Sequence, residues 1–289
     1  MKRITQKIRL AVPKGRQQDE IVGLLADAGL SISASAKGYR PACSDERFEV
    51  KLLKAANIPK LVEYGAHDLG MTGFDWIEET DADVAELLDT GLLPVRLVSA
   101  APKGSDPFAS ENGQSLIVAS EYENITRKYM ERKGCAYRYL RTYGATEVFP
   151  PEDADLIVDN TATGSALRSN GLEVVDEILQ SSTRIIACKE TVADPARREV
   201  IDEVVMLVSS VLEGRRRVLL DMNVSADAID RVIELLPAMK SPTVQPLRGN
   251  GGFAVRVAVL RSEVPKVLPA VLRAGATDVL QTALQKVVA

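Results

Sequence analysis

Short apolar runs alternate along this chain with segments whose hydrophobic residues recur at helical spacing. That alternation restricts the fold to the α/β class with largely parallel sheets. Residues 8–12 read as a buried strand that breaks at Pro13-Lys14-Gly15-Arg16. Ile21, Leu24, Leu25 and Ala28 then share one helical face, stopped by Gly29. A strand at 48–53, a helix at 58–64 and a tight strand at 68–72 follow. An extended run at 95–101 leads to a second α/β set, with strands at 116–119, 137–140 and 156–158 and a helix at 121–133. Extended runs at 174–179 and 184–188 come before Asp194-Pro195, a cap followed by a proline at the first helical position. The helix it opens is expected to end at Gly214, and Arg215-Arg216-Arg217 reads as a solvated boundary. Beyond it the order is β-α-β-β-α-β, a ferredoxin-like module suited either to sensing a ligand or to oligomerisation.

At 289 residues, the chain suits two or three domains. With 36 basic against 40 acidic residues it lacks the basic excess of a nucleic-acid scaffold, while a phosphate-binding enzyme needs only local donors. No apolar stretch approaches the roughly 20 residues of a membrane span, and residues 1–7 show no secretory h-region, so a cytoplasmic location is expected. Cys43, Cys135 and Cys188 are too scattered for a disulfide framework or metal spacing and read as reduced thiols.

The stretch 153–167, D-A-D-L-I-V-D-N-T-A-T-G-S-A-L, sets acidic residues on both sides of an apolar strand, then hydroxylated and small residues where a helix would begin. Small residues let backbone N–H groups approach a phosphate, and the Thr and Ser hydroxyls add donors. Asp155 and Asp159 suit ribose hydroxyls or a hydrated cation. The bland alternative is an ordinary helix cap after a buried strand, and the loop is not a Walker sequence. Lys14 and Arg16 beside Gly15 suit a phosphate or carboxylate, although exposed cations are common. At 65–76, glycines flank a short strand and Thr72 offers a hydroxyl. His67, the single histidine, reads as a loop residue with its polar atoms satisfied, and Trp76 as packing.

In order and spacing, P-K-G-R at 13–16, D-L-G-M-T-G-F-D-W at 68–76 and the segment 153–172 resemble the ATP phosphoribosyltransferase family in its long, self-regulated form. L-L-D-M-N-V at 219–224 and S-P-T-V-Q-P-L at 241–247 resemble that family's regulatory domain. The resemblance implies two periplasmic-binding-protein-like lobes around a cleft, plus a C-terminal ferredoxin-like (βαββαβ) regulatory domain. Residues 1–98 with 187–216 would form the first lobe, 99–186 the second, and 217–289 the regulatory domain. It implies the joining of ATP, through adenine N1, to phosphoribosyl pyrophosphate (PRPP), with Mg²⁺ as cofactor and pyrophosphate released.

The roles implied are these. Thr161, Ala162, Thr163, Gly164, Ser165 and Ala166 would cradle the PRPP 5′-phosphate, with Asp155 and Asp159 on ribose hydroxyls or the metal. Lys14, Gly15 and Arg16 would hold phosphate charge, Asp68 and Thr72 would line the cleft, and Glu147 would contact it. Asn223, Thr243 and Asp278 would contribute to a site for histidine as allosteric inhibitor. The assembly implied is a homo-oligomer, dimers building hexamers, without a separate regulatory subunit. Two departures stand out: Pro150-Pro151 after Glu147, and the wording Asn160-Thr161-Ala162 at the start of the loop. The rival readings are a two-lobed sensor without turnover and a phosphoribosyltransferase with another acceptor base.

Overall fold

The computed structural model describes residues 7–33, 38–109, 115–237, 239, 241–249 and 251–288; residues 1–6 and Asn250 of the glycine-rich turn lie outside them. The chain opens with β1 (Ile8–Pro13), α1 (Gln18–Ala28) and a two-stranded ribbon, β2 (Ile32–Ser33) and β3 (Ala42–Cys43). It continues through β4 (Phe48–Leu53), α2 (Ile58–Glu63), β5 (Leu69–Gly73), α3 (Phe74–Thr80) and β6 (Ala85–Asp89). A second sheet then forms from β7 (Val95–Pro102), β8 (Leu116–Ser120), α4 (Glu123–Lys133), β9 (Tyr137–Arg141), β10 (Leu156–Thr161), α5 (Ser165–Ser169) and β11 (Leu172–Ser181). The chain returns to the first sheet with β12 (Thr183–Ala187), followed by α6 (Lys189–Ala193) and α7 (Pro195–Arg216).

The first sheet has the order β4-β1-β5-β12-β6, parallel at β4-β1-β5 and antiparallel where β12 meets β5 and β6. The second has the order β11-β7-β10-β8-β9, with β10, β8 and β9 parallel and β7 and β11 antiparallel. Its apolar runs do not alternate because both faces are covered. Leu97, Val118, Tyr122, Leu156 and Val158 pack on one side, and Val98, Ala100, Ala119, Ile157 and Leu172 on the other. Each such buried aliphatic side chain contributes about 1.5–3 kcal/mol.

This is the expected α/β class with two lobes, but the crossovers fall earlier than read. β7 starts at Val95, already in the second sheet, and β12 starts at Thr183, already back in the first, against expected limits of 98 and 187. Only Ser182 separates β11 from β12.

The chain divides into two compact units, one of Met1–Gly23 with Ser31–Asp202, the other of Leu24–Leu30 with Glu203–Ala289. The second unit therefore begins inside α7 rather than at residue 217. Its remaining elements are β13 (Arg217–Ser225), α8 (Ile229–Glu234), β14 (Thr243–Pro246), β15 (Gly252–Leu260), α9 (Val264–Ala274) and β16 (Ala276–Ala283). They form one antiparallel sheet, β14-β15-β13-β16, the ferredoxin-like arrangement. Val218, Leu220, Met222 and Val224 of β13 pack with Val255, Val257 and Val259 of β15 beneath Val232 and Val271 of the two helices.

The Asp194 carboxylate caps α7, accepting the Ala196 N–H at 2.9 Å. Gly214 does not end that helix. A Cβ there would stand 2.7 Å from the Gln285 carbonyl oxygen, so the glycine admits a close backbone crossing. The basic run is likewise not a linker. Arg215 and Arg216 finish α7 while Arg217 begins β13, and Arg215 pairs with Asp27 at 2.7 Å.

Candidate functional site between the two lobes

β10 ends in the hydroxyl-rich loop. Thr161 Oγ1 accepts the Gly164 N–H at 2.9 Å, and Arg168 donates to the Thr163 carbonyl at 3.0 Å, which closes a tight turn with Gly164 at φ 72°. Thr163 and Ser165 hydroxyls are 3.1 Å apart. α5 spans only five residues, so the donors presented here are the loop's own N–H and O–H groups rather than a long helix's dipole. Thr161, Ala166 and Asn160 line a cavity of about 250 Å³ together with Arg16, Asp159 and Glu147. Burial, reinforced by the Glu147 and Glu121 charges, pushes the Asp159 carboxyl up to about 6, against the opposing N–H of Asn160. Arg16 is exposed and makes no ion pair among the described residues, so its charge is available to an anion in the cavity.

Several expected members stand elsewhere. Asp155 precedes β10 and Asp159 lies near its end, roughly 13 Å apart along an extended strand. The Asp155 carboxylate accepts the Ile117 N–H at 2.8 Å, so the two aspartates do not form one site. Asp68 is 1% exposed and bound by Arg9 at 2.8 Å and Arg197 at 2.7 Å, an internal ion cluster rather than a cleft wall. Thr72 is also buried, and its hydroxyl donates to the Ala55 carbonyl at 3.0 Å. Lys14 sits 4.0 Å over the Tyr39 ring, and Gly15, at φ 99°, makes the turn that brings Arg16 to the cavity. His67 is buried, and among the described residues its Nδ1 has no partner. Burial, with Lys51 and Arg9 nearby, lowers its pKa and keeps it neutral.

In the C-terminal sheet, Asn223 Nδ2 donates to Asp278 Oδ2 at 3.0 Å, and both residues lie inside strands. Thr243 opens β14, two strands away, opposite Arg256. Asn223 aligns with Ala254, which leaves Thr243 roughly 12 Å off. The three do not converge.

Reading from sequence missed the groups that join the lobes. Tyr122 donates to Asp75 Oδ2 at 2.7 Å, Ser181 donates to Asp75 Oδ1 at 2.6 Å, and Trp76 stacks on Tyr122 at 4.5 Å. Glu79, also on α3, accepts the N–H groups of Asn124 and Ile125 at the start of α4. The available signal was Asp75-Trp76 within the quoted motif; nothing local marks Tyr122.

Among the described residues no three His, Cys, Asp or Glu side chains gather as a metal cage. Asp159 and Glu147 on one cavity are carboxylates that pair with no cationic side chain among those residues. Such a donor set fits a hard cation that takes its other ligands from substrate phosphates and water.

Asp159→Asn is expected to trade activity for stability. The folded carboxyl titrates near 6 and the unfolded one near 4, so the folded state holds more protons between those values and wild-type stability falls as pH rises through that window. The variant should therefore match wild type below about pH 4 and melt higher above about pH 6, with reduced turnover. Thermal melts across that range check it.

The fold is that of a two-lobed α/β protein in which a hydroxyl-rich loop, two carboxylates and an arginine meet around one cavity. The family model described as ATP phosphoribosyltransferase matches residues 54–210, and that described as HisG, C-terminal domain, matches residues 214–286. The ATP phosphoribosyltransferase of Pelodictyon phaeoclathratiforme is 38% identical over 293 residues, covering 100% of both chains. That of Desulforudis audaxviator is 38% identical over 287 residues, covering 98% of this chain and 99% of its own. A solved ATP phosphoribosyl transferase (HisG:HisZ) complex from Thermotoga maritima superposes with a TM-score of 0.64 at 26% identity, covering 71% of this chain and 98% of that one. The chain belongs to the ATP phosphoribosyltransferase family, in the long form that carries its own C-terminal domain. It is a pentosyltransferase that joins ATP to PRPP with release of pyrophosphate, the first step of histidine biosynthesis, and the family uses a divalent metal. No helix among the described residues is long and apolar enough to cross a membrane.

Proposed function

We propose that the 161–166 loop holds the PRPP 5′-phosphate, that Asp159 with Glu147 faces the ribose and the metal, and that Arg16 takes phosphate charge from ATP or the departing pyrophosphate. The observation that carries this reading is the meeting of loop, carboxylates and Arg16 around one cavity. As adenine N1 bonds to C1 of PRPP, the C1–O bond to pyrophosphate breaks and the ribose ring gains cationic character. Carboxylates beside the ring would stabilise that charge, and Arg16 would stabilise the negative charge leaving with pyrophosphate. Holding two polyanions in line is the larger part of such catalysis. Mg²⁺ is the cation we assign, and when bound it would neutralise pyrophosphate oxygens while Asp159 and Glu147 hold it from the protein side.

The C-terminal module is read as the regulatory domain, with Asn223 and Asp278 offering an amide and a carboxylate to the zwitterionic end of histidine. Thr243, two strands away, would not share that ligand. With this module in the same chain, the enzyme would work in the cytoplasm as a homo-oligomer, dimers assembling to hexamers, without a separate regulatory subunit.

One assay tests the reading: pyrophosphate release from ATP and PRPP, with and without Mg²⁺ and across histidine concentration. Product should require the metal, and histidine should inhibit. Asn223→Leu should raise the half-inhibiting histidine concentration roughly 10-fold, the loss of one hydrogen bond to a charged ligand, while turnover without histidine persists. Absence of histidine binding by calorimetry would remove the regulatory claim and leave the catalytic one standing.

A further inference from the structure

Asn160, together with Arg16, lines both of two neighbouring cavities at the lobe junction, the one holding Asp159 and Thr161 and a smaller one walled by Trp76 and Tyr122. Its amide is not free to turn. Nδ2 donates to the Tyr122 hydroxyl at 2.9 Å, that hydroxyl donates to Asp75 Oδ2 at 2.7 Å, and Ser181 donates to Asp75 Oδ1 at 2.6 Å. Asp75 is 5% exposed and Tyr122 is fully buried beneath the Trp76 ring. A buried carboxylate is an acceptor only, so the tyrosine O–H must be the donor in that bond. The phenol oxygen can then only accept, and the amide must present its N–H₂ to it. The chain of bonds thereby sets the polarity of Asn160 and leaves Oδ1, which meets no donor among the described residues, as an acceptor beside the loop.

We propose that Asn160 is a substrate-positioning residue whose Oδ1 accepts a hydrogen bond from an O–H or N–H donor of the bound substrates, and that Tyr122 and Asp75 act through it by fixing its orientation. The inference rests on the reading of the 161–166 loop as the PRPP phosphate site. Two donors have this chemistry, a ribose hydroxyl of PRPP and the exocyclic amino group of ATP, and both are neutral groups a few ångströms from a phosphate ester or the reacting ring.

The test is steady-state kinetics on Asn160→Leu, Tyr122→Phe and the double variant, each with a thermal melt. Asn160→Leu should raise one KM about 3- to 10-fold, the range of a single hydrogen bond, and change kcat less. A rise confined to PRPP identifies the ribose hydroxyl, and one confined to ATP the amino group. Tyr122→Phe should shift the same KM in wild type and add nothing in the Asn160→Leu background, because its effect passes through the amide. Unchanged KM values in a folded Asn160→Leu protein overturn the proposal, as does full additivity in the double variant. If Tyr122→Phe melts too low to assay, the partly exposed Asn160 decides alone. A Gly164→Val control separates the two readings. If that control is also silent, the loop assignment fails; if it alone responds, only the role of Asn160 does.

Discussion

Gly164→Val should lower kcat/KM for PRPP by about 10²–10³, the cost of disturbing one preorganised donor set, while the protein stays folded. Gly164 holds φ 72°, a conformation that a β-branched residue adopts only with strain, and a Cβ there would stand 2.9 Å from Arg168 Nη1. The arginine tip can move aside; the backbone cannot. Its own N–H is already taken by Thr161 Oγ1, so the loss would come from turning the Ser165 and Ala166 N–H groups away from the anion. Because Gly164 carries no core contact, the melting midpoint should move little. PRPP affinity measured by calorimetry decides the matter: a folded variant binding PRPP as wild type does would reduce the loop to a helix cap.

Asp68→Ala should have the largest effect on stability. The carboxylate accepts from the Arg9 backbone at 2.8 Å, from Arg9 Nε at 3.0 Å and Nη2 at 2.8 Å, and from Thr191 Oγ1 at 3.1 Å, with Arg197 Nη2 at 2.7 Å. Removing it leaves two guanidinium groups facing an empty centre. Breaking a buried pair from one side costs about 3–5 kcal/mol, and the partial exposure of Arg9 (33%) argues for the lower end. A loss near 3 kcal/mol corresponds to roughly 6–12 °C in melting temperature for a domain of this size. The pH dependence gives a signature. Burial alone would raise the Asp68 pKa, but the bonds from Arg9 and the charge of Arg197 outweigh it and hold the carboxyl below its ordinary range. Its contribution is therefore complete above the unfolded value of about 4 and is lost as pH falls through the lower folded one. The gap between variant and wild type should close in acid, and KM values of the folded variant should be unaltered. A KM change with an unchanged melt would return Asp68 to the cleft.

The two cases show what a linear reading can reach. Asp155 and Asp159 look like one acidic pair because they bracket a short apolar run, yet the extended chain sets Asp155 ahead of β10 and Asp159 well along it. Asp68 looks like a cleft residue because it shares a motif with Gly73 and Asp75. Its partners Arg9 and Arg197 come from sequence separations of 59 and 129 residues, which no local pattern encodes. Elements with strong local signals were legible: α7 opens at the Asp194-Pro195 cap, β1 ends at Pro13 where the turn begins, and the loop glycine is at the turn. β6, whose residues are neither strictly alternating nor continuously apolar, was not legible. The change of sheet at Ser182 was read late because a single polar residue between two extended runs carries no punctuation. The cavity's membership followed the same rule. The loop and Arg16 were visible in the order of residue types, whereas Tyr122 and the orientation of Asn160 depend on which strand ends the fold brings together.

The position of β12 bears on the order in which the molecule assembles during synthesis. Among the described residues β6 pairs only with β12, whose Arg184 lies opposite Asp89, so the edge of the first sheet waits for nearly a hundred residues of later chain. Every strand of the second sheet lies between those two residues, from Val95 to Ser181. As the polypeptide leaves the ribosome, the second lobe has all its strands available before the first can close. The more distant pairing, with the larger loop-closure cost, comes last. The inserted lobe would thus serve the first as a loop already folded, drawing the β6 and β12 segments toward each other before they pair.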